Sequence, residues 1–393
     1  LPATSPPTPP NAAHPQYNVI YILLDDLRFD SMGFLTPELK TPNIDFLARN
    51  GVYFPNAVVT SSLCSPSRAT ILTGQTARNH GVISNGDSSE EGLVYFPKYL
   101  QQAGYQTGFF GKWHMGSASD APRDGFDRWV SFKGQGTYFP TEQLSPAEIA
   151  AGKRQTLNVD GRQVKRTGYI TDELTDYALK WLDQARSSKR PFFVYLSHKA
   201  VHSEPLPPPR YAKQYADLDI KLPASMADTP QNNAGKPLWV QNQRNSWHGA
   251  DFPYHTNRPL KEQVRAYYQT LSPVDDSIGR ILAYLRRHQL DRNTIIVFNS
   301  DNGFLIGDHG LIDKRNAYEP SVRVPLIAYA PGLLPRGAVN PTLVRNLDLA
   351  PTFLDIADVA RPPQMEGTSW LGIATGAMKP QDYRPSDFVY EYY

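Results

Sequence analysis

The sequence predicts an α/β protein: a large, mainly parallel sheet sandwiched by helices. Three observations carry that expectation. Five short apolar runs recur along the chain, nearly continuous rather than alternating, as strands buried on both faces require. Helix-length patterns lie between them, and such alternation gives a parallel sheet covered on both sides. Chemically active side chains gather just after the runs, where open α/β sheets bind ligands.

Residues 1–16, LPATSPPTPPNAAHPQ, form a proline-rich leader or linker expected to be extended. The chain starts without Met and has no signal-like pattern, which suits an exported, periplasmic or secreted protein whose signal peptide has been removed. One domain is expected over 17–393. Its strands are read at 18–24 (NVIYILL), 105–110, 191–197 (PFFVYLS), 294–299 (TIIVFN) and 324–330 (VPLIAYA). A helix over 41–50 has Pro42 in its first turn and stops before Gly51. A second, over 171–185, takes Thr171 as N-cap with acidic residues behind it. The stretch 263–288 holds one or two helices, interrupted near Pro273. Residues 205–259, rich in Pro, Asn, Gln, Trp and His and lacking a period, read as a long irregular surface insertion of the kind that shapes pockets. The closing DFVYEYY looks like the start of a further strand.

Composition excludes several classes. With 40 Lys and Arg against 38 Asp and Glu, and no block of like charge, a dedicated nucleic-acid or polybasic membrane protein is not indicated. No apolar run approaches the roughly 20 residues that span a bilayer. The only cysteine, Cys64, has no internal disulfide partner.

Each of four runs is followed by reactive residues. Asp25 and Asp26 follow the first, Lys112 and His114 the second, His198, Lys199 and His202 the third, Asp301 and Asn302 the fourth. Asp25, Asp26, Asp301 and Asn302 offer oxygen only, which suits a hard divalent cation, Ca2+ or Mg2+, better than zinc. Adjacent acids also cap helices and make turns, but two such pairs arriving together favour a metal site. Lys112, His114, His202 and Lys314 beside a metal imply an anionic substrate such as a sulfate or phosphate ester. Cys64 sits among small polar residues ahead of Pro66 and Arg68, at the start of a helix-like run, a setting that stabilises an anion.

SLCSPSR (62–68) followed by ATILTG, with GYQTGFFGKWH (104–114), resembles the two signatures of the type I, formylglycine-dependent sulfatases of the alkaline phosphatase superfamily. Phe110 is bulkier than the residue usual there. The likeness is to bacterial polysaccharide sulfatases and runs from about Tyr17 to the end. It implies an alkaline-phosphatase-like fold whose small C-terminal subdomain is largely missing or truncated here. It implies that a separate maturation enzyme reads C-x-P-x-R and converts Cys64 to formylglycine, whose hydrated aldehyde attacks a sulfate ester. A diol can expel the sulfate by reforming the aldehyde, splitting one hard hydrolysis into two easier steps. Ca2+ would be held by Asp25, Asp26, Asp301, Asn302 and residue 64, with Asp301 accepting the nucleophile's proton. Arg68 would anchor the diol and Lys112 the sulfate. His114 would take the proton from the second hydroxyl. His202 and Lys314 would serve the departing oxygen, His202 being chosen over His198 for its VHSEP setting. His309, in GDHGL, would support a nearby loop.

The implied substrate is a sulfated carbohydrate. Gln135, Tyr138 and Trp247 are candidate sugar contacts, although GFDRWVSFKGQGTYF equally reads as a packed loop. A phosphonate or phosphate diester hydrolase of the same superfamily, and a non-catalytic glycan-binding relative, are the alternatives.

Overall fold

All five apolar runs become strands, joined by five others in a ten-stranded sheet. The computed structural model describes residues 16–86, 90–115, 119–252, 258–383 and 388–393; the leader lies almost wholly outside them. The strands are β1 (Asn18–Leu24), β2 (Val52–Tyr53), β3 (Gln106–Lys112), β4 (Arg128–Phe132), β5 (Thr156–Val159), β6 (Arg162–Lys165), β7 (Phe192–Ser197), β8 (Thr294–Ser300), β9 (Leu326–Tyr329) and β10 (Ala338–Val339). They lie in the order β10-β2-β9-β8-β1-β7-β3-β4-β5-β6.

The central five, β8-β1-β7-β3-β4, are all parallel, so their carboxyl ends share one edge. The register keeps those ends level: Leu24 pairs with Ser300, Leu23 with Ser197, and Gly111 with Ser197. Gly111 has φ 126°, and a Cβ there would fall 1.7 Å from the Ser197 carbonyl oxygen, so only glycine fits between β3 and β7. One expected strand differs in direction. β9 runs antiparallel to β8, which sends its carboxyl end away from the common edge.

Alternation along β1 divides the core. Ile20, Ile22 and Leu24 face α1 (Pro42–Asn50), α4 (Ile170–Ala185) and α5 (Leu260–Arg287). Val19, Tyr21 and Leu23 face α2 (Cys64–Thr73), α3 (Phe96–Gln102) and α6 (Leu349–Ile356). Burying each such aliphatic side chain is worth about 1.5–3 kcal/mol, which accounts for the continuous apolar runs.

Three local expectations are corrected. Pro273 does not break its helix: α5 is one helix of 28 residues with proline inside it. Its buried stripe runs unbroken from Val264 and Leu271 through Val274, Ile278 and Leu285, and that packing outweighs one lost backbone hydrogen bond. Thr171 is not the N-cap, since α4 begins at Ile170; Glu173 reaches back to the Thr167 and Gly168 N–H groups at 2.7 and 3.0 Å and satisfies the turn in its place. The described part of the closing segment, 388–393, forms no strand. It is held by the Glu391 N–H on the Thr60 carbonyl at 2.8 Å and by the Glu391–Arg78 pair.

Candidate active site

Ladder hydrogen bonds continue past the strand ends and fix the loops that carry the reactive groups. The Asp25 N–H donates to the Ala200 carbonyl at 2.9 Å, Val201 returns a bond to the Asp25 carbonyl at 2.8 Å, and the Asp301 N–H meets the Leu24 carbonyl at 3.0 Å. Asp26 and His114 both take left-handed backbone, φ 65° and 51°, a strained choice found where a site dictates the geometry. The Asp26 turn is held by Tyr267, whose hydroxyl donates to the Asp26 carbonyl at 2.6 Å and accepts from the Arg28 N–H at 2.9 Å.

Cys64 is the first residue of α2, fully buried. Ser65 hydrogen-bonds the His114 carbonyl and Ser67 the Asp301 carbonyl, so this helix start is pinned to the ends of two strands. The Cys64 Sγ lies 3.4 Å from Asp25 Oδ1 and 3.1 Å from Lys314 Nζ. Burial, with Asp25 adding to it, pushes the thiol up to about 12. An unaltered thiol therefore stays protonated at neutral pH and is a poor nucleophile.

Around it three buried carboxylates face three buried cations. Arg68 binds Asp301 through Nε at 2.8 Å and gives Nη1 to the Lys112 carbonyl at 2.6 Å and to Ser197 Oγ at 2.7 Å. Lys112 pairs with Asp25, and Lys314 with Asp26. Asn302 donates to Asp26 Oδ1 at 2.6 Å. Removing six charges from water is tolerable only because each finds an opposite partner. Burial alone would raise Asp25, but Lys112 and Arg68 outweigh it and hold that carboxyl well below its ordinary value. Asp301 moves the other way, pushed up by burial and by Asp25. His114 falls to about 2 through burial and Lys112, and burial keeps His202 well below its usual range, so both imidazoles are neutral proton acceptors.

The donor set fits a hard divalent cation. Oxygens of Asp25, Asp26 and Asp301 lie within 4.8 Å of one another. Asp26 Oδ2 and Asn302 Oδ1 are buried without a hydrogen-bond partner among the described residues, an arrangement that costs free energy unless something else meets them.

The structure brings together Asp25, Asp26, Cys64, Arg68, Lys112, His114, His202, Lys314, Asp301 and Asn302. His202 Nε2 is 3.8 Å from Asp26 Oδ2. His198 is fully buried, and neither ring nitrogen is hydrogen-bonded among the described residues, which makes it a packing residue. His309 stacks on Tyr318 at 4.0 Å on a loop, as expected of a structural histidine.

The three sugar candidates separate. Gln135 lines a cavity of about 500 Å³ together with Lys199, His202 and Lys314, and its amide oxygen accepts from Lys112. Tyr138 is corrected: it is wholly buried, and its hydroxyl donates to the His202 carbonyl at 2.7 Å, so it props His202 and has no surface to offer a sugar. Trp247 is 49% exposed, stacks loosely on Phe252 and lies outside that cavity's lining. The insertion nonetheless reaches the site. The His248 carbonyl accepts from the Ile312 N–H at 2.9 Å, and His248 Nδ1 lies 2.6 Å from Asp313, the residue before Lys314. Sequence reading missed Ser197, Tyr267 and Ser67. Ser197, the last residue of an expected strand, was the one with a visible signal.

The sulfatase family model matches residues 17–359. This chain belongs to the sulfatase family. Sulfatases are sulfuric ester hydrolases, and the relatives are named accordingly. The N-acetylglucosamine-6-O-sulfatase of Bacteroides thetaiotaomicron is 31% identical, with 96% of this chain and 74% of that protein aligned. The human N-acetylglucosamine-6-sulfatase is 32% identical over 92% of this chain and 64% of its own length. A putative extracellular sulfatase Sulf-1 homolog of Caenorhabditis elegans is 31% identical over 91% of this chain and 49% of its own. Among solved structures, BT4656 in complex with its substrate D-glucosamine-2-N,6-O-disulfate superposes with a TM-score of 0.80 at 30% identity, covering 96% of this chain and 84% of that one. The phosphonate monoester hydrolase of Silicibacter pomeroyi reaches 0.76 at 25% identity, covering 94% and 78%. This sulfatase thus spans 64% of its human relative and less of the nematode one. No described helix is long and apolar enough to cross a membrane.

Proposed function

We propose that this sulfatase hydrolyses 6-O-sulfate esters of glucosamine-type units in a sulfated oligo- or polysaccharide. The observation that carries the reading is the position of Cys64: heading α2, within 3.1–3.4 Å of Lys314 and Asp25, beside the Arg68–Asp301 pair. When present, formylglycine at position 64 would supply a hydrated aldehyde as nucleophile, and Ca2+ held by Asp25, Asp26, Asp301 and Asn302 would supply positive charge for the sulfate oxygens. The chain's own groups do the rest. Lys112 and Lys314 hold the anionic sulfate. Arg68, clamped by Ser197 and the Lys112 carbonyl, keeps Asp301 oriented toward residue 64, where that carboxylate accepts a proton. Neutral His114 takes a proton at the residue-64 side. Lys314 gives a proton to the departing sugar oxygen, with His202, propped by Tyr138, positioned beside it.

The substrate class rests on the 30–32% likeness to enzymes and a complex named for 6-sulfated glucosamine. Room for more than one sugar supports it. A second cavity of about 620 Å³, lined by Lys133, Gln155 and Gln163, shares Gln135, Gly136 and Gln143 with the first. Export and processing by a maturation enzyme belong to the same reading. Incubation with N-acetylglucosamine-6-sulfate should release inorganic sulfate, and the peptide 61–75 of active protein should show loss of sulfur and gain of a carbonyl oxygen at Cys64. The likeness to a phosphonate monoester hydrolase favours one rival. Faster turnover of an aryl phosphonate than of an aryl sulfate would establish that rival instead.

A further inference from the structure

Lys199 takes no part in the chemistry above, yet it is one of the more costly residues in the protein. Its side chain is buried, only 3% of the residue is exposed, and none of the ion pairs among the described residues includes it. The ammonium sits 4.8 Å above the ring of Tyr138 and makes one long hydrogen bond, 3.4 Å, to the Ser203 carbonyl. An ammonium has three donors, and burying its charge without a carboxylate is unfavourable unless another anion comes to it. A cation–π contact offsets only part of that cost. Burial and the charge of Lys112 accordingly pull Lys199 down to about 8.

Lys199 lines the 500 Å³ cavity beside Lys314, His202 and Gln135. Lys112 and Lys314 already have carboxylate partners; Glu142 and Glu204 line the same cavity but form no ion pair with Lys199, and Glu142 accepts the Tyr138 and Phe139 N–H groups through Oε2 at 2.7 and 3.1 Å. Tyr138 is itself locked by its hydroxyl on the His202 carbonyl and by stacking on Tyr169 at 5.7 Å, so the ammonium is held on a rigid platform in the wall shared with the catalytic histidine. We propose that Lys199 is a substrate-binding residue that receives an anionic oxygen of the saccharide other than the sulfate being cleaved, making the enzyme selective for sugars with a second acidic group. The second acid is a sulfate on the same sugar or a carboxylate on its neighbour. This rests on the sulfated-saccharide reading, and binding rather than turnover is the readout, so the two fail separately.

Three probes decide it by calorimetry on the full chain: N-acetylglucosamine-6-sulfate, D-glucosamine-2-N,6-O-disulfate, and 6-sulfated N-acetylglucosamine linked to a uronic acid. The wild type should bind at least one doubly acidic probe tenfold or more tighter than the singly acidic one, and which one it prefers identifies the source of the second acid. Lys199→Gln should bring that ratio close to one, while Lys199→Arg retains part of it. Lys199→Met, which suits a buried site, replaces Lys199→Gln if the latter does not fold. Equal binding of all three by the wild type, or a preference that survives in Lys199→Gln or Lys199→Met, would overturn the proposal. Failure to release sulfate from any probe, with the binding preference intact, would count against the hydrolytic reading alone.

Discussion

At the scale of single residues, burial separates groups that the sequence presents as equals. His198 and His202 stand four apart after the same strand, and both are imidazoles in a polar motif. Among the described residues, His198 has no hydrogen-bond partner at either nitrogen, whereas His202 lies 3.8 Å from the Asp26 carboxylate and has its carbonyl held by Tyr138. His202→Ala should lower kcat on a sulfated sugar by about 10²–10⁴-fold, the usual contribution of a positioned acid or base. His198→Leu should leave kcat within a few-fold, and a loss as large as that of His202→Ala would reverse the assignment. Arg68 is equally specific. Its three hydrogen-bond acceptors, Asp301, the Lys112 carbonyl and Ser197, match a guanidinium and not an ammonium. Arg68→Lys should therefore destabilise the protein by about 3–5 kcal/mol, as breaking a buried pair does, which denaturant unfolding would read.

At the scale of elements, the helix bearing Cys64 depends on contacts from beyond its own residues. One comes from His80, whose Nδ1 accepts from the Val82 N–H at 3.1 Å, leaving Nε2 to donate to Thr70 of α2 at 3.0 Å. This pattern needs the neutral ring, and burial holds His80 down to about 4. The unfolded chain, with an ordinary histidine near 6.5, then binds the proton more readily between those values, so stability is complete above about 6.5 and declines as pH falls toward 4. The decline should approach about 3 kcal/mol. Comparing unfolding of the wild type and His80→Gln at pH 7 and pH 4.5 isolates it; parallel losses in both proteins would show that His80 is not responsible. Elements also show where sequence reading stopped. Pro273 signals a helix break locally, and only the stripe packed along α5 on both sides of it overrides the signal.

At the scale of the whole molecule, the parallel strands deliver charge of both signs to one edge, and the carboxylates and cations there are balanced before any metal arrives. Ca2+ bound only by the folded state should raise the melting temperature through a stabilisation of about 2.7 kcal/mol at a hundredfold excess over Kd. Mg2+ should do less, since it tolerates an irregular oxygen cage poorly. Asn302→Ala, which removes a buried unpartnered oxygen, should diminish the shift, and an undiminished shift would place the ion elsewhere. The amino-acid sequence by itself determined the parallel sheet, the strand ends that carry Asp25, Lys112 and Asp301, and the Cys64 signature. These follow from continuous apolar runs and from spacing, which are local properties. Only the tertiary structure decided that β9 runs antiparallel, that Tyr138 is a buried prop and that Lys199 faces the cavity without an ion-pair partner among the described residues. Strand direction, burial and charge pairing depend on which remote residues come to surround a group, and no window of sequence contains those neighbours.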